Sequence, residues 1–446
     1  MKKKMYLTED IIKIKSIDKE RYINFKKKKI LLDNWAKYSF HDFLMKDIER
    51  SKNGSFYTPE WIVRVMVRNS LKILKSKLIS IENIKILEPS CGSGNFLQVI
   101  IEELHNETGK SYETIIKENI YCIDVDFQAL EVSKKRIKDI FGFELHNFYC
   151  CDALLFDMKG FDLIIGNPPY GNLLDKELKI KLKDKYGNIA LNFINHFYKL
   201  LTNNGLLYFI VPHSFSRAGQ GALAWRKEII ENQSLYEIID VGNPFFDITL
   251  EQIIVGLNKV KNEVVNTNSI RYNKIGNKVS YQEIFDNDEK IILIYYDDVY
   301  KKIKNSLPMY PFNGKRGKDF NKKELLNDNG KFWIILGKNI TKNGLINIKG
   351  YDKYSNDSKY SLIDDCVAIT QFGINLKATL VPKGCILSNG VVLISHKDMT
   401  KEEAISYLNK SSVNEYLKKY ILNGAELTVH LDGKYLKQIP FTNLLD

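Results

Sequence analysis

Between about residues 55 and 262 the chain alternates short apolar runs with stretches of helical period. The runs are "IKIL" (84–87), "NIYCIDV" (119–125), "FDLIIG" (161–166), "LLYFIVP" (206–212), "LYEIIDV" (235–241) and "EQIIVGL" (251–257). Between them lie segments such as "NFLQVIIEELHNE" and "ALEVSKKRIKDIF", in which apolar positions recur at three and four residues. Strands alternating with helices predict an α/β fold: a doubly wound, mostly parallel sheet covered on both faces. Such a sheet binds ligands at the carboxyl ends of its strands.

After about residue 263 the texture changes to short strands, Asn and Gly turns and lysine clusters such as "NGKRGKDFNKKELLNDNGKFW" (313–333). This predicts a second, mixed α+β domain over 263–446, with the boundary near "NKVKNEVVNTN" (258–268). Residues 1–50 read as a basic N-terminal extension, with "KKKK" at Lys26–Lys29 and an amphipathic pattern around "ILLDNWAKYSFHDFLM". Residues 51–262 form the sheet domain.

Composition adds three limits. A chain of 446 residues with 44% hydrophobic content is too long for one ordinary core, which supports two unequal domains. A formal charge of +12 points to a polyanionic partner. The six cysteines form no CxxC pair and have no histidines at zinc spacing, so free thiols in a reducing compartment are expected, with no metal. No apolar run approaches the roughly 18 residues that span a bilayer. The opening "MKKKMYLTED" turns polar where a signal peptide would be apolar, so a cytoplasmic location is expected.

Candidate chemistry sits at the strand ends. In "IKILEPSCGSGNFL" (84–97), Gly92 and Gly94 allow a tight turn and a close backbone approach, and the helix starting near Asn95 presents free N–H groups. The third glycine of a dinucleotide fingerprint and the lysine of a phosphate loop are both missing, and Glu88 ends the strand. A carboxylate there repels pyrophosphate but suits an ammonium or sulfonium group. In "CIDVD", Asp124 or Asp126 is placed to accept from a ribose diol. In "YCCDALLF" (149–156), Asp152 is placed to accept from the exocyclic amine of a purine.

The strand "DLIIG" then runs straight into Asn167, Pro168, Pro169 and Tyr170. Taken together, "YTPEWIV" (57–63), "LEPSCGSGNFL", "YCIDVD", "CCDALL" and "FDLIIGNPPY" resemble the ordered motifs of S-adenosyl-L-methionine-dependent N6-adenine DNA methyltransferases. The similarity is to the class with cofactor motifs first, the catalytic motif next and a target-recognition domain last. It covers residues 55 to 260 closely and the remainder only by position.

The resemblance implies a site-specific methyltransferase of a bacterial or phage restriction-modification system, acting on double-stranded DNA, with a separately encoded cognate restriction endonuclease as a possible partner. No attached nuclease is expected, since fifty residues before the first motif are too few for one. It implies that Tyr57, Thr58 and Pro59 meet the methionine end of the cofactor, together with Glu88, Pro89, Ser90 and the loop Cys91–Gly94. Asp124 would hold the ribose, Val125 would pack on the adenine ring, Asp152 and Ala153 would meet its amine, and Asn167 and Pro169 would also touch the cofactor.

The chemistry accounts for the catalytic motif. An adenine N6 lone pair is delocalised into the ring, so the nitrogen must be made more tetrahedral before it can attack. The Asn167 side-chain oxygen and the Pro168 carbonyl can accept its two hydrogens, and the prolines keep the turn extended. Tyr170 offers a face for an extruded base. The resemblance places a second aromatic just before a late strand, and in "NPFFDITLEQIIVGL" (243–257) Phe245 fits best, with Phe246 as the alternative. Where the family often has Asp-Leu-Tyr in the following helix, this chain has Asn188, Ile189 and Ala190.

In the second domain Lys315, Arg316, Lys318, Lys322, Lys323, Lys331, Lys338 and Lys342, among the aromatics Tyr310, Phe312, Phe332 and Trp333, form a candidate phosphate-binding surface. Two other readings compete. One is methylation of a different planar nitrogen, in a protein glutamine or in RNA; the other is a non-catalytic DNA-binding subunit that keeps the fold.

Overall fold

The computed structural model describes residues 6–26, 33–39, 58–172, 176–182, 184–217, 220–246, 249–272, 274–285, 290–305, 312–320, 326, 330–340, 353–356, 358–373, 375–426, 429–431 and 433–439. The chain divides into two compact units, Met1–Phe285 and Asp286–Asp446.

The first unit is built on a nine-stranded sheet. Its strands are β1 (Ile86–Glu88), β2 (Ile120–Asp124), β3 (Asn147–Cys150), β4 (Phe161–Gly166), β5 (Leu201–Pro212), β6 (Leu235–Gly242), β7 (Gln252–Asn258), β8 (Val264–Ser269) and β9 (Lys274–Ser280). They lie in the order β3-β2-β1-β4-β5-β7-β6-β8-β9. Strands β3, β2, β1, β4 and β5 are mutually parallel, and β7 runs antiparallel between β5 and β6. The reversal has a local cause: only nine residues join β6 to β7, too few for the crossover that a parallel neighbour needs, so the chain turns back on itself. The strands at the centre are apolar at almost every position because both faces are covered; Leu163, Ile164 and Ile165 of β4 are fully buried.

The sheet runs past the predicted boundary near residue 262. Strand β8 pairs with β6 and β9 with β8, so the first unit closes at Phe285. The Asn-rich segment 262–268 resembles a linker in composition, yet Val265 and Thr267 are buried within the sheet.

Helices α1 (Glu9–Lys26), α2 (Asn34–Ser39) and α3 (Glu60–Ser76) show that the described part of the basic extension packs on the sheet domain. Tyr6 donates to the buried Glu237 of β6 at 2.7 Å. Arg21 of α1 bonds Asp18, Asp33 and Glu60 at 3.0, 2.7 and 2.6 Å. Pro59 precedes helix α3, and its side chain makes no capping hydrogen bond. Asp18 supplies the cap from α1, accepting the Trp61 N–H at 3.0 Å.

Burial pushes the Asp18 carboxyl up to about 7, against the opposing pull of the Trp61 N–H and Arg21. A raised carboxyl contributes stability that is complete below its unfolded value of about 3.9 and is lost as pH rises through its folded value. Asp18→Asn keeps the acceptor without the charge, so its melting temperature should exceed the parent's at pH 8 and converge with it as pH falls towards 4. Thermal unfolding across that range tests this; an offset that does not change with pH would contradict it.

Among the described residues the remaining α-helices of the first unit are α4 (Asn95–Thr108), α5 (Tyr112–Glu118), α6 (Phe127–Phe141), α7 (Lys176–Leu182), α8 (Ile189–Leu200) and α9 (Leu223–Asn232). Asn188, where the resemblance would place an aspartate, caps α8 by accepting the Leu191 N–H at 3.3 Å.

The second unit holds a four-stranded sheet in the order β10-β17-β13-β15, formed by β10 (Asn313–Arg316), β17 (Val391–Ser395), β13 (Cys366–Thr370) and β15 (Ala378–Val381). A three-stranded sheet adds β12 (Lys353–Ser355), β11 (Phe332–Ile335) and β16 (Ile386–Leu387), and β14 (Phe372–Gly373) pairs with β18 (Val429–His430). Ile335, Ala368, Val381, Leu387 and Val391 form the apolar cluster between them.

Candidate active site

Strand order reverses between β1 and β4, since β2 and β3 lie on one side of β1 while β4 and β5 lie on the other. The carboxyl ends of these two neighbours carry Glu88 and the segment Asn167–Tyr170. The two ends lie side by side: a Cβ built on Gly166 would sit at ordinary contact distance, 3.6 Å, from Glu88 Cγ.

The loop after β1 is shaped by its glycines and pinned from several sides. Gly92 and Gly94 adopt φ of 50° and 80°, a left-handed backbone that other residues resist. The Cys91 N–H donates to the Ile123 carbonyl at 3.0 Å, and Ser133 Oγ donates to the Gly92 carbonyl at 2.6 Å. A Cβ on Gly94 would press on Ser133 Oγ at 3.1 Å. Arg136 of α6, fully buried, donates to the Ser93 carbonyl at 3.2 Å and to Gln98 at 2.8 Å, with its guanidinium 4.5 Å from the Trp35 ring. Sequence reasoning missed Ser133 and Arg136; an arginine at a position of α6 that faces the core was the readable signal.

Glu88 is 2% exposed, and its Oε2 has no hydrogen-bond partner among the described residues. Burial, joined by Cys122 and Asp124, holds its carboxyl well above the usual range, while Arg136 and the Leu97 N–H act in the other direction. A buried carboxylate in this condition is completed by a cationic donor. A ligand ammonium therefore fits the site.

The two acids of "CIDVD" have different surroundings. Asp124 accepts from the Gly92 N–H at 2.8 Å and from the Asp126 N–H at 2.9 Å, so it joins the glycine loop to the end of β2. Asp126 caps α6, accepting from Gln128 and Ala129 at 2.8 and 3.3 Å. Val125 between them is 72% exposed. Asp152 accepts the Leu154 N–H at 2.9 Å while Ala153 is buried.

Asn167 is held by two of the other motifs. Its Nδ2 donates to Thr58 Oγ1 at 3.1 Å, and its main-chain carbonyl accepts from Ser90 Oγ at 3.0 Å. Using Nδ2 in this way fixes the amide rotation, with Oδ1 on the side away from Thr58. Pro59, Pro89 and Pro168 are buried around this junction. Tyr57 lies outside the described residues.

Tyr170 is 9% exposed, and its hydroxyl reaches the Ile210 carbonyl at 3.2 Å and Gln252 Oε1 at 3.0 Å. Phe245 is buried, whereas Phe246 is half-buried and stacks on Tyr22 of α1 with centroids 5.0 Å apart. Both phenylalanines lie in the loop from β6 to β7, which opens at the same sheet edge as Asn167.

In the second unit Lys315 and Arg316 are exposed on β10, one of the two edge strands of its sheet. Arg316 pairs with Asp319 at 2.9 Å, and Lys318 lies 4.5 Å from the Tyr360 ring and 5.0 Å from that of Phe320. Lys322, Lys323, Lys342 and Tyr310 lie outside the described residues. Among the described residues, no helix is long and apolar enough to cross a membrane.

Over the stretch that builds this edge the chain is similar to a methylase family. The family described as Eco57I restriction-modification methylase matches residues 76–246, the stretch that carries Glu88, the glycine loop, Asp124, Asp152 and the Asn-Pro-Pro-Tyr turn. The chain is 29% identical over 204 residues to the type II methyltransferase M.VspI of Vibrio sp. (strain 343), covering 44% of this chain and 45% of that protein. It is 30% identical over 181 residues to the type II methyltransferase M.CvrRI of Paramecium bursaria Chlorella virus XZ-6E, covering 39% and 40%. The chain thus spans less than half the length of these curated relatives. Among solved structures, the type IIL restriction-modification enzyme MmeI in complex with DNA aligns with a TM-score of 0.55 at 13% identity, over 89% of this chain and 69% of that one. A nuclease-deletion mutant of the type ISP enzyme LlaGI aligns with 0.56 at 12% identity, over 86% and 46%. At such identities these two alignments speak to fold.

Proposed function

We propose that the chain transfers a methyl group from S-adenosyl-L-methionine to N6 of an adenine extruded from double-stranded DNA, as the modification activity of a restriction-modification system. One observation carries the reading. Asn167, at the carboxyl edge beside Glu88, has its amide nitrogen committed to Thr58 and its carbonyl to Ser90, which presets its side-chain oxygen as an acceptor.

The cofactor supplies an electrophilic methyl group on a sulfonium that leaves as a neutral thioether. The chain's residues prepare the nucleophile. The Asn167 oxygen and the Pro168 carbonyl accept the two N6 hydrogens, draw the lone pair out of the ring and orient it for attack, after which one N6 proton passes to solvent. Glu88 and the glycine loop would hold the methionine end and Asp124 the ribose; Val125 and Asp152 would flank the adenine ring. Tyr170, with Phe245 or Phe246, would hold the flipped base.

The test is to incubate unmodified genomic DNA with protein and cofactor and to read which adenines, in which context, acquire a methyl group. Methylation of protein glutamine or RNA in place of DNA would replace this reading, as would cofactor-independent DNA binding with no transfer.

The basic edge strand yields a separate expectation. Neutralising Lys315, Arg316 and Lys318 together should weaken binding to all DNA and flatten its salt dependence, each lost phosphate contact removing about 0.9 from the slope of log K against log salt. A loss confined to the methylated site, with the slope intact, would assign these residues to base readout.

A further inference from the structure

The contacts of Tyr170 lead to a residue pair with no role in the chemistry above. Gln252 is fully buried at the first position of β7 and is followed by Ile253, Ile254 and Val255, all fully buried. Its backbone is in register with Pro212 of β5 on one side and Gly242 of β6 on the other. Burying an amide costs free energy unless it finds partners. Its Nε2 donates to the Leu250 carbonyl at 3.3 Å, and its Oε1 lies 3.0 Å from the Tyr170 hydroxyl.

The preceding residue is clamped. Glu251 accepts from Arg217 at 2.6 Å and from Arg271 at 2.7 Å, and its main-chain carbonyl accepts the His213 N–H at 2.8 Å. Arg271 also bonds Asp240 of β6 at 3.0 Å. The loop carrying Phe245 and Phe246 therefore leaves β6 and enters β7 on one ion-paired clamp, and the next residue along holds Tyr170.

Resting on the function proposed above, we infer that Gln252 is a positioning residue for Tyr170, and that the Arg217–Glu251–Arg271 clamp fixes it in register with the aromatic loop. A base is gripped between two rings only where both are held at a fixed separation. Here the ring of the Asn-Pro-Pro-Tyr turn and the root of the phenylalanine loop share one buried support.

The test is a double-mutant cycle on Tyr170→Phe, which keeps the ring and removes the hydroxyl, and Gln252→Leu, which removes the acceptor. Each variant should slow single-turnover methylation about 10-fold, equivalent to about 1.4 kcal/mol. The double variant should be no slower than Tyr170→Phe alone, because that change already removes the hydroxyl that Gln252 and the Ile210 carbonyl both accept. Calorimetric affinity for S-adenosylmethionine should stay at the parent value in all three. A duplex with 2-aminopurine at the target position should show the same altered fluorescence in each complex, reporting a loosened stack. An additive loss of about 100-fold in the double variant would overturn the inference. If Gln252→Leu does not fold, Gln252→Met takes its place, and a parental rate with it or with Tyr170→Phe overturns the inference. That failure is distinct from failure of the proposed function, which shows as absence of adenine methylation by the parent protein.

Discussion

Asn167→Ala is expected to slow single-turnover methylation by about 100- to 1,000-fold, the usual loss when one preorganised polar partner of a transition state is removed. Affinities for cofactor and DNA should remain within a few-fold of the parent, because the interaction strengthens only as N6 becomes tetrahedral. The side chain owes its orientation to Thr58 at 3.1 Å. Thr58→Val, which leaves Asn167 in place but releases its amide, should therefore lose less, on the order of one buried hydrogen bond or about 10-fold. Asn167→Asp retains an acceptor of the same size and should keep more activity than alanine. Rapid-quench measurement of methylated adenine under saturating cofactor and excess enzyme reads all three. A parental rate for Asn167→Ala would refute the proposed mechanism.

The fold was legible wherever a strand is buried on both faces. "FDLIIG" is β4 residue for residue, because an uninterrupted apolar run between helical periods has few other solutions. The antiparallel β7 was not legible as such. "EQIIVGL" reads like its parallel neighbours, and only the lack of a helix before it distinguishes its direction. The domain boundary was misplaced for a related reason: β8 and β9 lie toward the edge of the sheet and carry Asn and Lys, a composition that also suits a linker.

The candidate site was legible where chemistry restricts residue type, as at Glu88, Gly94 and Asn167. Its supports were not. Asp18 is 43 residues from the Trp61 N–H it caps, and Gln252 is 82 residues from Tyr170, so no local pattern announces either contact. A polar residue at the mouth of an apolar strand is the one trace Gln252 leaves in the sequence. In the second unit, phosphate contacts require only positive charge at a surface, whereas base readout depends on side-chain placement against an edge pattern, which composition does not encode.

Glu88 gives the other large effect, and it falls on binding and not on rate. Glu88→Gln keeps the shape of the side chain and removes its charge, so it should weaken S-adenosylmethionine binding by about 10- to 100-fold, the range for a charge-assisted hydrogen bond of about 1.5–3 kcal/mol. With saturating cofactor the single-turnover rate should return to within a few-fold of the parent, as expected for an interaction equally present in ground and transition states. The sign of the pH dependence follows from the free protein. Burial raises the Glu88 carboxyl above its usual range, so the free site holds its proton to higher pH than an exposed glutamate does. An ammonium placed against it favours the ionised form, so binding expels that proton, and affinity should rise with pH until Glu88 ionises in the free protein. Measurements between about pH 5 and about pH 7 keep the ligand's own amine protonated. Calorimetry in two buffers of different ionisation enthalpy should show proton release for the parent and none for Glu88→Gln. Equal affinities for the two proteins, or release that persists in the glutamine variant, would remove Glu88 from the cofactor site.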